Sequence, residues 1–227
     1  MNSTFTRDDL LKLRDLINSQ LEALGEPEGE KPTHKVGDKT ILHHSGFGDM
    51  EMDCVHVYDG GKRGLYLMHY GLPNMEFDAA ESTGRGQDYG NNDYDDANCR
   101  QWMNSKEDDW FHRRHVFDAP PSYADRPGLL AGFDGETLAR IAPKDGDLFF
   151  LLSYEEVNGE LPYLQTEEGK ELLKKTDKDG NAVWWWLRSP YPDDPSDVRG
   201  VDRGGSTYTG HNAFRRGSAL APACVIE

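Results

Sequence analysis

The chain has 227 residues, enough for one large domain with a real core, and its 41 acidic against 25 basic side chains give a formal charge of -16. Such a field repels a phosphate backbone and argues against nucleic acid as a partner. Three cysteines, Cys54, Cys99 and Cys224, are too few for a disulfide-stapled scaffold, so buried thiols are expected.

No apolar run approaches the length of a signal-peptide core or a membrane span, so the expectation is synthesis in the cytoplasm with no signal peptide and no membrane span. Display on a virion or cell surface stays open, because such assemblies carry proteins that never had a signal peptide. In chain order, Thr6 caps a run in which Leu10, Leu13, Ile17, Leu21 and Leu24 recur at helical spacing, predicting a helix over 7–24 packed on the body. Residues 25–39, with Pro27, Gly29, Pro32 and Gly37 among charges, read as a linker. Residues 1–39 are thus an N-terminal helix and linker, and residues 40–227 the main domain.

Strands are expected over 40–43, 53–58 and 65–70, the last two forming a hairpin about Asp59-Gly60-Gly61. Helices are expected over 95–103, 135–141 and 166–175. Residues 147–153 contain Leu-Phe-Phe-Leu-Leu, a run so apolar that it predicts a central strand with neighbours on both faces. Asp177-Lys178-Asp179-Gly180 reads as a turn, 183–187 as a strand, and 221–226 as the last strand. Between Pro190 and Ala219, Gly, Asp, Ser, Arg and Pro dominate, predicting a long irregular region.

Groups that could do chemistry do not assemble by spacing. His43-His44 and His112-x-x-His115 have no carboxylate or cysteine at a recognised zinc spacing, and Asp177-x-Asp179-Gly180 lacks the glutamate that closes a calcium loop. Gly84-x-Gly86 neither follows a clear strand nor opens a helix; Ser189 and Ser196 lack a nucleophile elbow; Cys54 and Cys99 carry no activating motif. Asp93, Asp95 and Asp96 form an acidic loop expected to be solvated. No catalytic residue, metal site or cofactor is expected.

The informative stretch is Trp184-Trp185-Trp186-Leu187-Arg188-Ser189-Pro190, where alternation sends at least one large ring into the core and makes the strand a rigid support. The residues after it, 191–226, contain no Lys, Glu, Gln, Met or Trp.

Asn98-Cys99-Arg100-Gln101-Trp102-Met103-Asn104, residues 147–153, Trp185 to Pro190, Val198 and Val201, Gly204 or Gly205, and the ending Gly217-x-Ala-Leu-Ala-Pro-Ala occur in an order that resembles the C-type-lectin-fold variable proteins of diversity-generating retroelements. These are phage and microbial proteins related to the formylglycine-generating-enzyme-like lectin folds. The resemblance covers residues 90–227. It implies an α+β fold of C-type-lectin-like type, with a small antiparallel sheet, two or more helices and a long irregular C-terminal loop region. It also implies that an error-prone reverse transcriptase rewrites adenines in the region encoding 184–227. Codons ending in a pyrimidine cannot encode the five missing residue types, in keeping with the skew.

On that resemblance, Trp184, Trp185, Trp186, Arg188, Val198 and Val201 are scaffold, with Ala213 a further internal pin. The exposed ligand-binding surface would be Tyr191, Asp193, Asp194, Asp197, Arg199, Asp202, Arg203, Ser206, Tyr208, His211, Asn212, Phe214, Arg215 and Arg216. Tyr208, Phe214 and the arginines are the expected affinity carriers, since rigid aromatics and Arg dominate binding hot spots. The function implied is non-enzymatic binding of a protein or glycan ligand, with oligomeric state left open. The alternatives are a carbohydrate-binding lectin-like module, a structural phage or cell-surface component, and an enzyme of the formylglycine-generating class. The calcium-site tripeptides of sugar-binding lectins are absent here, and Cys224 has no second cysteine nearby.

Overall fold

A hairpin closed by its own turn chemistry begins the body of the protein. The computed structural model describes residues 33–82, 88–116, 118–207 and 209–227; the helix expected over 7–24 lies outside them. Strand β1 (Lys39–His44) pairs antiparallel with β2 (Gly48–Tyr58), and the His44 ring holds the connection by accepting from the amides of Gly46 and Phe47, each at 3.0 Å. The β2 strand turns through Asp59, Gly60 and Gly61, all at positive φ, into β3 (Arg63–Met68). Two glycines suit that turn because they alone enter the left-handed region without strain.

Residues His34–Glu227 form one compact unit. Residues 34–38, expected to be linker, belong to it: the amides of His34 and Gly37 donate to Gly61 and Cys54, and Asp38 accepts from the Cys54 amide. The first sheet runs β1-β2-β3-β12-β7, antiparallel throughout, with β12 (Ala223–Ile226) between β3 and β7 (Ile141–Ala142). The second runs β10-β9-β8-β11-β4: β10 (Thr209–Asn212), β9 (Asp197–Val201), β8 (Trp184–Pro190), β11 (Ser218–Leu220) and β4 (Leu72–Pro73). Only β8 and β11 pair in parallel within it. A short ribbon joins β5 (Glu81–Ser82) to β6 (Asp88–Tyr89). The helices are short: α1 (Asn98–Met103), α2 (Gly135–Ala139), capped by Asp134, and α3 (Glu167–Glu171), capped by Thr166.

The first sheet is buried on both faces at its centre. Met52, Cys54, Tyr66, Met68, Cys224 and Ile226 face one apolar core, while Val55, Leu65, Leu67, Ala223 and Val225 face the other. Alternation sends Cys54 and Val55 into opposite cores, and a bulge between Cys54 and His56 then shifts the phase so that Val57 packs on the same core as Cys54.

Two expectations are corrected here. Residues 147–153 alternate as predicted, with Phe149 and Leu151 in one core and Phe150 and Leu152 in the other, but they form no strand. They make two isolated bridges, Asp147 to Lys144 and Phe150 to Ala223; side chains satisfy much of the rest, Asn104 bonding Leu148 and Phe149, the Tyr94 hydroxyl accepting from Leu151, and Glu156 accepting from Ser153. Burial on two sides is a property of the side chains and does not by itself build a ladder. The region from 191 to 216, expected to be irregular, contains β9 and β10, which continue β8 as an antiparallel meander. Their outward residues are polar and their glycines many, so they carry little strand signal.

Among the described residues no helix is long and apolar enough to cross a membrane. One cation lies in the core: Lys175 is 1% exposed, and its Nζ donates to the Met68 carbonyl at 2.5 Å and lies 5.8 Å from the centre of the Trp185 ring. Burial pushes its ammonium down to about 7, opposed by Asp53 and reinforced by Lys39.

Candidate binding surface

The β8-β9-β10 meander divides its side chains between an inner and an outer set. Trp185, Trp186, Val198, Val201 and Ala213 are fully buried. Each indole N–H also finds a carbonyl, Trp185 at Leu173 (2.9 Å) and Trp186 at Met75 (3.0 Å), which fixes both rings in place. Arg188 is a structural link: it donates to the Leu151 carbonyl at 2.6 Å and pairs with Glu156 at 2.7 Å, which Lys144 also meets. These cations, with the Ser153 amide, hold the Glu156 carboxyl below its usual range despite its burial.

Trp184 departs from its scaffold role. It is only half-buried, with its ring 4.7 Å from that of His211 and the Arg215 guanidinium 5.8 Å from its centre, so it belongs to the surface. The strand starts here, and its first ring meets β10 instead of the core.

Among the residues expected to be exposed, Asp193, Asp194, Arg203, Arg215 and Arg216 are. Tyr191, Asp197, Arg199, Asp202, Ser206, His211, Asn212 and Phe214 are half-buried, and several have structural work. Asp202 accepts from the amides of Gly204 (2.7 Å) and Ser206 (3.0 Å), Asp194 from the amide and hydroxyl of Ser196, and Asp197 from Asn212 at 2.7 Å. Burial and then Asp194 raise the Asp197 carboxyl; the Ser196 contacts lower that of Asp194. Tyr208 lies outside the described residues.

Arg199 lies between two rings, 4.0 Å from the centre of Tyr154 and 5.3 Å from that of Tyr191, a stack that fixes its guanidinium on the outer face. The Tyr191 ring rests against Gly210, where any Cβ would collide with it. Tyr154 has no signal in the sequence that ties it to this surface. Nor do Glu76, Ala79, Ala119 and Pro120, which together with Phe214, Arg215 and Arg216 line a groove of about 710 Å³.

The other candidate groups are engaged elsewhere. His43 meets Asp49 at 2.7 Å, and His44 uses both ring nitrogens, accepting from two amides and donating to the Leu129 carbonyl at 3.0 Å; burial lowers its pKa. Asp95 pairs with Arg100 (2.6 Å) and Asp96 with Arg114 (2.7 Å), so this loop is tied by ion pairs and not simply solvated. Ser189 accepts from the Tyr154 amide, and Asp177 accepts from Asp179 and Asn181 within the expected turn. The three cysteines are free and buried; burial pushes the Cys54 thiol up to about 11 and raises Cys99 and Cys224 as well. Among the described residues no cluster of His, Cys, Asp or Glu is placed to hold a metal ion.

A buried acidic pair lies behind the groove. Asp78 accepts from the amides of Asn91 and Asn98, each at 3.0 Å, yet burial outweighs these bonds and pushes it up to about 7; Glu81 beside it is raised too.

Fold and surface together define an α+β protein of two mainly antiparallel sheets that carries an exposed strand meander near its C-terminal side. Residues 74–227 match DUF6273, a domain of unknown function, and the chain belongs to that family. The matched region takes in the whole second sheet except β4, and it supplies β7 and β12 to the first. No curated protein and no solved structure matches the chain.

Proposed function

We propose that this is a non-enzymatic binding protein of C-type-lectin-like type, similar to the variable proteins of diversity-generating retroelements, whose ligand is a macromolecule met by residues 191–216. The observation that carries the proposal is the division of labour within that stretch. Val198, Val201 and Ala213 are buried completely while Asp193, Arg203, Arg215 and Arg216 are exposed, so the outer side chains can change without disturbing the pins beneath them. Within 191–216 four aspartates balance four arginines, against -16 for the whole chain, so this patch is less repellent to an acidic partner than the chain as a whole. Thiols pushed up by burial and histidines held in hydrogen bonds favour binding over catalysis.

The test is differential capture. The whole chain and a variant with Asp193, Arg203, Arg215 and Arg216 all changed to Ala would be immobilised and offered the same protein and glycan mixtures. A partner retained by the first and lost by the second supports the proposal, and identical retention refutes it.

A further inference from the structure

The groove beside β10 has two kinds of wall. Ala79, Ala119, Pro120 and the half-buried Phe214 give it an apolar side, and the exposed Arg215 and Arg216 stand at its rim. At about 710 Å³ it can take a few side chains of an extended segment.

Its two guanidinium groups are incompletely neutralised. Arg216 Nε is 3.8 Å from Glu76 Oε1, but Glu76 is buried and its two oxygens already accept from the Ser122 amide (2.6 Å) and hydroxyl (2.5 Å). Arg215 donates to His211 Nδ1 at 2.8 Å and lies over Trp184, and among the described residues no carboxylate pairs with it. Elsewhere Arg63, Arg100, Arg114 and Arg188 each meet a carboxylate within 2.8 Å. An arginine held in place by a ring, with donors left over, suits an anion brought from outside.

We infer that the groove receives a peptide segment of a partner protein in which an Asp or Glu adjoins an apolar side chain, the carboxylate meeting Arg215 and Arg216 and the apolar group lying on Ala79, Ala119, Pro120 and Phe214. The inference rests on the binding function proposed above and narrows its ligand. Charge selects the acid. The apolar surface of Ala79, Ala119, Pro120 and Phe214 favours an apolar side chain beside the acid, which a peptide supplies and which gains by leaving water there.

The experiment is an array of decapeptides, each with one Asp or Glu next to an apolar residue and each accompanied by its Asn or Gln counterpart. It is probed with the full chain and with the Arg215→Gln/Arg216→Gln variant. Acidic members should bind about tenfold or more tightly than their amide counterparts, as expected for a charge-assisted pair, and the variant should lose that preference. The unfolding temperature of the variant, which should not move because both side chains are exposed, checks the fold. Equal binding of acid and amide, a preference that survives in the variant, or no peptide retained would each overturn the inference. So would retention of acidic glycans on a parallel array in place of peptides. Failure here is separable from failure of the wider proposal: a captured partner indifferent to Arg215 and Arg216 but lost with Asp193 and Arg203 would sink the groove and keep the surface.

Discussion

Replacing Lys175 by Met should stabilise the protein at neutral pH and lose that advantage in alkali. In the folded state the ammonium is pushed from 10.5 to about 7 by burial, so between those values the unfolded chain binds more protons and wild-type stability rises with pH. Taking the two pKa values at face value, the lysine costs roughly 4 kcal/mol at pH 7 and under about 1 kcal/mol at pH 10. The substitution also strips the Met68 carbonyl of its donor, which costs about 1–3 kcal/mol at any pH. The difference, variant minus wild type, should therefore be positive by on the order of 2 kcal/mol at pH 7 and fall by roughly 3 kcal/mol by pH 10. Urea unfolding followed by tryptophan fluorescence at several pH values measures it, and titrations common to both proteins cancel. A difference that does not change with pH would refute the assignment of a depressed lysine.

Asp78 acts in the opposite sense: a carboxyl raised to about 7 is favoured protonated in the fold, so its contribution is full below the unfolded value of 3.8 and is lost as pH rises towards 7. Asp78→Asn should accordingly flatten the decline in stability between those pH values, read from the same unfolding curves. In α3, Gly169→Ala should destabilise although alanine is the better helix former, because the new Cβ would run into the Tyr163 carbonyl; a loss of about 1–3 kcal/mol in urea is expected, and a gain would refute the contact. Val198→Ala should cost about 1–3 kcal/mol while Arg203→Ala stays within about 0.5, a contrast that thermal unfolding can check. The three buried thiols should resist a thiol reagent at pH 8 until denaturant is added, and rapid labelling of native protein would contradict their burial.

What was legible in the sequence was the inward half of the design. Alternation and turn residues placed the hairpin about Asp59-Gly60-Gly61, and the family resemblance implied Val198, Val201 and Ala213 as pins, all three of which are buried. The outward half was legible only in part. Asp202 and Asn212 read as free surface because a polar side chain in a loop looks the same whether it meets water or a backbone amide. Lys175 stands at the end of the helix expected over 166–175, and nothing local announces that the chain folds it beneath Trp185. Glu76, Ala79, Ala119 and Pro120 in the groove's lining lie more than 90 positions upstream of Phe214, so no local pattern could join them. Residues 147–153 show the converse: the pattern gave the burial correctly, and the ladder failed because Asn104, Tyr94 and Glu156 supplied bonds that a neighbouring strand would have made.

The place of β12 in the first sheet has a consequence for synthesis. It lies between β3 and β7, although it is made from residues 223–226 and its partner β3 from residues 63–68. A ribosome must therefore translate the whole 191–216 surface before the first sheet can close. A frameshift or stop codon in that surface deprives the sheet of its inner strand and removes Cys224 and Ile226 from one core and Ala223 and Val225 from the other. A substitution there leaves β12 intact. The order of strands along the chain thus makes closure of the first sheet depend on an unbroken reading frame through 191–216.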